Sequence, residues 1–345
     1  MRSCFNPRLF KRASAGIPIA IAFGALVSIY FLPAAAWACA CGCSVFDVGS
    51  TSLLPKEGDH GGVVYFEWDH ANQKINWSGL SKAPAANNGD KNILTDWYVL
   101  GLNYMFSREW GVTVRAPSAN RSFLTDVNFP DTPADLQRFH VSTLGDIEIM
   151  GMYTGFSKDM STGVMFGLKL PTGNYTAPGF DRDTQIGTGS TDLLLGGFHR
   201  GMITGDNAWQ YFGQVKLTTP LLTSSAFDED LGRSADYRPG TQIDGAFGIV
   251  YNNLYKAGPF DKVAPLLQII VSHRQPDGGA AAFPENTGYD RIFISPGFDI
   301  TKVVDDPKNQ TVKLYGDVEI PVYQRANGNQ IVAPYLLKIV AAYTF

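Results

Sequence analysis

Tyr335-Leu336-Leu337-Lys338-Ile339-Val340-Ala341-Ala342-Tyr343-Thr344-Phe345 alternates without a break. Tyr335, Leu337, Ile339, Ala341, Tyr343 and Phe345 form one face; Leu336, Lys338, Val340, Ala342 and Thr344 form the other. Successive side chains of a strand point to opposite sides, so the stretch predicts a β-strand with one apolar, aromatic face. Terminal residues usually fray unless they are tied into a sheet. A half-apolar strand running to an aromatic last residue predicts a transmembrane barrel strand, and its ending in Phe345, with Tyr343 two residues earlier, resembles the signal that the barrel-assembly machinery reads.

Working backwards, the same period recurs in eleven further segments, near 62–71, 94–106, 109–117, 141–155, 161–171, 190–201, 207–219, 241–252, 262–273, 290–302 and 311–323. In the last of these, Val312, Leu314, Val318, Ile320 and Val322 oppose Lys313, Tyr315, Asp317, Glu319 and Tyr323. A tilted membrane strand needs roughly 9–11 residues, which these lengths supply. Short connections, such as Ser107-Arg108, 156–160 and 202–206, alternate with long ones at 72–93, 118–140, 172–189, 220–240 and 274–289. Tight turns at one rim and long loops at the other are the pattern of an outer-membrane barrel. The reading is all-β: an antiparallel up-and-down transmembrane barrel of about 12 strands over 61–345, with both ends periplasmic and its outer face against outer-membrane lipid. Trp68, Tyr98, Tyr104, Trp209, Tyr251, Tyr335 and Tyr343 are the candidates for interfacial girdles.

The opposite face of the strands carries Glu67, Asp69, Arg115, Asp146, Glu148, Lys169, Asp192, Arg200, Lys216, Asp244, Lys313, Asp317, Glu319 and Lys338. Isolated charges in a dry core are costly. So many of them argue against a soluble sandwich and predict a wet, charge-lined pore or ion pairs across it. These fourteen residues are the predicted pore lining for a small-molecule solute.

Residues 1–38 have the form of a secretory signal peptide. Arg2, Arg8, Lys11 and Arg12 precede an apolar run from Ile17 to Leu32, and Ala36-Trp37-Ala38 offers a cleavage site. The run is short of the roughly 20 residues a spanning helix requires. The leader predicts export through the general secretory pathway of a Gram-negative cell to its outer membrane. What remains carries 24 basic against 32 acidic residues, a net charge of −8. That balance lacks the basic footprint of a nucleic-acid binder.

Leu170-Pro171-Thr172-Gly173, Gly187-Thr188-Gly189-Ser190-Thr191-Asp192 and Tyr237-Arg238-Pro239-Gly240, in this order and with the terminal Phe345, resemble a family of bacterial outer-membrane barrel transporters associated with meta-pathway phenol degradation. The resemblance covers roughly 62–345. It implies a channel or substrate-entry role for small solutes, hydrophobic or aromatic ones included, and no catalysis. The glycines of 187–192 lack the Gly-Lys-Ser/Thr ending of a phosphate-cradling loop. Asp181, Arg182 and Asp183 belong either to a solvated external loop or to a charged constriction folded into the pore.

Segment 39–60 is a Cys-rich periplasmic stretch or plug, with Cys39, Cys41 and Cys43 as its candidate metal ligands. Alternate thiolates suit a soft ion such as Cu(I). A disulfide in an oxidising compartment is equally open, and lipidation at Cys39 is a third reading that Ala36-Trp37-Ala38 fits poorly, because Trp37 stands where a lipobox has a small residue. Two other functional classes remain. One is a metal-binding or docking protein anchored by the barrel. The other is an outer-membrane hydrolase, for which the five histidines sit in no nucleophile motif and no Gly-x-Ser-x-Gly occurs.

Overall fold

The computed structural model describes residues 61–345 except 229–230, 253–257 and 306–309. The leader, segment 39–60 and its three cysteines lie outside the described residues. Twelve antiparallel strands close on themselves: β1 (Gly61–Gln73), β4 (Asp90–Met105), β5 (Trp110–Asp126), β7 (Ile147–Tyr153), β8 (Thr162–Leu170), β9 (Ser190–Met202), β10 (Trp209–Thr223), β13 (Gln242–Tyr251), β14 (Lys262–Arg274), β15 (Tyr289–Asp305), β16 (Gln310–Val332) and β17 (Leu336–Thr344). Each pairs with its neighbour in this order. The seam joins β17 to β1, with Val63 opposite Thr344 and Ala71 opposite Leu336. Full closure removes the unpaired edges that an open sheet exposes.

The alternation in sequence becomes an inside and an outside. Along β14, Leu267, Ile269 and Val271 are exposed, whereas Leu266, Gln268, Ile270 and Ser272 are buried. Phe66, Leu100, Phe166, Val215, Phe247 and Ile339 continue the exposed apolar surface around the barrel. Such a surface on a water-soluble domain would be an association site; on a membrane barrel it is the face that lipid covers. Aromatic rings gather at the rim of the short turns. Trp110 lies 4.8 Å from Tyr153 and Trp209 4.8 Å from Tyr251, ring centre to ring centre. Tyr104 stacks on Phe345, which stacks on Tyr343. Of the expected girdle residues, Tyr104, Trp209, Tyr251 and Tyr343 lie at this rim.

The long-loop rim departs from the expected outline, because several strands are longer than a membrane requires. β5 continues to Asp126 and pairs there with β6 (Leu136–Leu144). The fourth barrel strand is therefore two pieces, β6 and β7, with Gly145-Asp146 between them. β16 runs on to Val332 and takes β2 (Ile75–Gly79), which pairs with β3 (Ser81–Lys82). β11 (Ser225–Asp228) and β12 (Arg233–Asp236) form a separate hairpin. Segments 72–93 and 118–140, expected as loops, are thus largely sheet. The alternation weakens there because these extensions have no lipid face to keep apolar.

Candidate functional site

All fourteen charged residues singled out in the sequence turn into the barrel, where each is at least partly buried. They are held mainly by one another. Arg115 donates from Nη2 to Glu67 Oε1 at 2.8 Å, and its Nη1 lies 3.7 Å from Glu148 Oε2. Lys216 Nζ donates to Glu148 Oε2 at 2.9 Å. Lys338 Nζ lies 3.7 Å from Glu67 and 3.8 Å from Asp69. These links join β17, β1, β5, β7 and β10, so they reach across intervening strands. Two carboxylates sit among neutral donors. Asp244 accepts from Ser272 Oγ at 2.5 Å and from Gln242 Nε2. Asp317 accepts from Ser295 Oγ and from Gln268 Nε2. Glu319 is buried two positions further along the same face of β16. Arg200 reaches the carbonyl of Met160 at 3.4 Å, near the short-turn rim, and Lys313 is half-buried on the inner face of β16. The interior therefore differs from an open water-filled pore: at least nine of the fourteen charges take part in ion pairs, and Phe212, Ile270, Phe293 and Tyr315 are buried in the same interior.

The remaining charges organise a loop. Residues 171–189 do not stand in solvent; they fold into the barrel. Asp183, Thr184, Gln185 and Ile186 are all buried, and Phe180 packs against Phe123 and Phe139 on the wall. The two roots of the loop meet at Asp146. Its Oδ1 accepts from Gly173 N at 2.9 Å; its Oδ2 accepts from Thr188 N at 2.9 Å and from Thr188 Oγ1 at 2.7 Å. Lys169 bridges Asp146 at 3.4 Å and Asp192 at 2.7 Å, and donates to Thr188 Oγ1. Thr172 Oγ1 donates to the carbonyl of Gly145 and accepts from Ile147 N. The Leu-Pro-Thr-Gly and Gly-Thr-Gly-Ser-Thr-Asp motifs are these roots. Their glycines serve contact between backbones. A Cβ on Gly173 would lie 2.7 Å from Gly187 Cα and 2.9 Å from the carbonyl carbon of Gly145.

Inside, the loop is fastened to the barrel wall by a residue that the sequence reading missed. Arg121, fully buried, donates from Nε to Thr95 Oγ1 at 2.9 Å and from Nη1 to the carbonyls of Thr184 and Gln185. It shares the parity of Arg115 but lies four positions beyond the predicted end of its strand. Gln185 closes the loop on itself, accepting from Ala177 N at 2.8 Å and donating to the carbonyls of Ala177 and Phe180. The Tyr-Arg-Pro-Gly motif completes the roof. Tyr237 Oη donates to Asp277 Oδ2 at 2.7 Å, while Asp277 Oδ1 accepts from Gly240 N and from Arg274 at 2.6 Å. Burial, with the Asp277 carboxylate beside it, pushes the Tyr237 phenol well above its ordinary value. A Cβ on Gly240 would sit 1.8 Å from the carbonyl oxygen of Gln275, so the motif needs glycine there.

Two cavities result. The inner chamber gives the centres of water molecules about 180 Å³. Its floor is Asp69, Arg115, Glu148 and Lys216; its roof is formed by residues 182–188 and 237–240. The outer vestibule offers about 720 Å³ by the same measure. Phe129, Phe139, Tyr175, Phe180, Phe227 and Phe283 line it. Arg182 and Gln185 border both spaces.

Three histidines lie on the outer face of the barrel. His70 bonds Asp96 at 2.8 Å, His273 bonds Asp290 at 2.6 Å, and His199 bonds Thr162 and Tyr211. Nucleophilic catalysis needs hydroxyl, imidazole and carboxylate in one chain of hydrogen bonds. These three sites each supply only two of the three. Among the described residues, no group of three or more His, Cys, Asp or Glu side chains is placed to hold a metal ion.

A closed barrel with an apolar, aromatic-rimmed exterior and an ion-paired interior defines the class: a β-barrel of the outer-membrane type. Among solved structures, the chain is similar to the COG4313 outer membrane channel from Pseudomonas putida F1, with a TM-score of 0.60 at 10% identity, covering 87% of this chain and 100% of the channel. At that identity the likeness is one of fold. More distant are a structure described as the CymD monoaromatic hydrocarbon channel (TM-score 0.40, 8% identity, 87% and 93% covered) and a Pseudomonas aeruginosa FadL homologue (TM-score 0.40, 8% identity, 86% and 95% covered). No protein-family model matches the chain, and no curated protein does.

Proposed function

We propose that this protein is an outer-membrane channel for small solutes, held closed in this structure by the loop between Leu170 and Ser190. One observation carries the reading. Within a closed barrel, an aromatic vestibule and a charged chamber lie on either side of the inward loop and the Tyr-Arg-Pro-Gly motif beside it. A barrel serving only as an anchor has no need of two cavities separated by an inward loop.

The fourteen inward charges then act as the lining. With most of them ion-paired, they set a narrow, nearly neutral passage that favours solutes over bulk ions. The aromatic vestibule supports a solute with an apolar body, in line with the resemblance to transporters of phenol-degrading bacteria. The short-turn rim, which holds Gly61 and Phe345, faces the periplasm, and the long loops face outward. The strand ending in Phe345 is the one that the assembly machinery reads. The surrounding solvent of the outer face is lipid.

The test is solute flux. Protein reconstituted into liposomes is loaded with impermeant sugar and swollen in isosmotic small solutes. Swelling by apolar-bodied solutes, faster than in protein-free vesicles, is expected. A correctly folded barrel that gives neither swelling nor bilayer conductance, even with the loop deleted, would overturn the reading.

A further inference from the structure

Arg182 stands where the two cavities meet, and its partners are unusual for a guanidinium. Its Cζ lies 5.2 Å from the ring centre of Tyr175 and 5.3 Å from that of Tyr237. Nη1 donates to the carbonyl of Tyr175. Nε and Nη2 are buried and donate to no acceptor among the described residues. A guanidinium presents five N–H donors in a planar fork, and most are left over here. Asp228 attracts it from the outer hairpin without forming an ion pair among the described residues, and Asp183 is its chain neighbour on the chamber side. Burial draws the guanidinium below its ordinary value, and its Nε and Nη2 are shielded from water without an ion pair to a carboxylate among the described residues.

The other residue on the boundary cannot play this part. Gln185 spends its amide on Ala177 and Phe180. Arg182 is therefore the polar group at the boundary whose donors are available. One hydrogen bond and two ring faces hold it. An oxyanion offering paired, charge-assisted hydrogen bonds competes well with such contacts.

We infer that Arg182 is the specificity residue of the entry site: it takes the carboxylate of a small organic anion whose apolar body rests in the aromatic vestibule. The carboxylate draws the guanidinium out from between Tyr175 and Tyr237. The ring or alkyl part of the same molecule lies against Phe139, Tyr175 and Phe180. The inference rests on the channel reading for its purpose, but not for its measurement, because binding is read without transport.

The experiment is calorimetric titration of the detergent-solubilised full chain with benzoate and, separately, with benzyl alcohol. Wild type, Arg182→Gln and Arg182→Lys are compared, each first shown to be a folded barrel by heat-modifiable electrophoretic mobility. Wild type is expected to bind benzoate at least about tenfold more tightly than the alcohol, as one charge-assisted pair implies. Arg182→Gln removes that preference and leaves the alcohol's affinity unchanged; Arg182→Lys keeps part of it. Equal benzoate affinity in wild type and Arg182→Gln would overturn the inference. So would the absence of any preference in wild type, which stands as the test if Arg182→Gln does not fold. The same samples in bilayers separate the two readings. Arg182-dependent benzoate binding by a barrel that passes nothing keeps the subsite and sinks the channel. Flux of neutral and anionic solutes without that dependence does the reverse.

Discussion

Replacing Asp146 by alanine should release the inward loop while leaving the barrel standing. The carboxylate accepts three hydrogen bonds from the two loop roots, at 2.9, 2.9 and 2.7 Å, and lies 3.4 Å from Lys169. Alanine leaves the amides of Gly173 and Thr188 without that acceptor. A buried donor left unmade costs about 1–3 kcal/mol, so two of them favour the released loop by about 3 kcal/mol, the lower part of the sum. Tenfold in population corresponds to about 1.4 kcal/mol, giving a rise of roughly a hundredfold in the open form. Lys169 retains Asp192 at 2.7 Å, and every barrel ladder is untouched, so the fold should persist. Hydrogen exchange over residues 174–188 should accelerate by about that factor, and bilayer conductance should rise with it. Asp146→Asn, which keeps one carbonyl oxygen, should fall between. An alanine variant that is folded yet shows wild-type protection and conductance would refute the idea that Asp146 fastens the loop.

Other expectations follow from neighbouring contacts. Lys338→Met removes the ammonium 3.7 Å from Glu67 and 3.8 Å from Asp69, and should destabilise the barrel by about 3–5 kcal/mol in urea unfolding, with Asp69→Asn on top recovering part. Deleting Phe345 removes the paired bonds with Gly62, at 2.8 and 2.9 Å, and the stacks on Tyr104 and Tyr343; assembled yield should fall several-fold, read as heat-modifiable protein. The Tyr237 phenol, raised by burial, should stay protonated as accessible tyrosines ionise near pH ~10. Its contribution to stability is complete below that unfolded value and is lost as pH rises through the raised one. Absorbance titration at alkaline pH should show a late-ionising fraction that Tyr237→Phe lowers by one tyrosine.

The barrel was legible in the sequence because a membrane strand declares its two faces by parity alone. Glu67 and Asp69, or Lys313, Asp317 and Glu319, are directed inward by position, whatever their partners. The partners were not legible. Arg115 meets Glu67 two strands away, and Lys216 meets Glu148 three strands away, so closure of the whole sheet decides those pairs. Arg121 and Arg274 share the parity of the inward residues but lie just past the predicted strand ends, where the apolar face stops and the signal with it. Segment 172–189 reads as solvated from its Pro, Gly, Asn and Asp content. Its inward course is set by Asp146, on a different strand, although Ala177, Phe180 and Ile186 were faint evidence of a buried face. Cys39, Cys41 and Cys43 lie outside the described residues, and their chemistry stays where the sequence left it, between Cu(I), a disulfide and a lipid anchor.

The meeting of Gly145, Gly173 and Gly187 has a practical meaning. Three backbones touch there because the side chains of residues 173 and 187 are missing, and one added methyl at Gly173 would press on main chain from two directions. Main chain cannot swing aside as a flexible side chain does, so the strain must be relieved by moving the loop. A single alanine thus becomes a wedge that props the pore ajar without altering one charge of its lining. The charges on the barrel wall and the position of the loop are mechanically separate, so such a variant would shift Arg182 with its loop while leaving the wall as it stands.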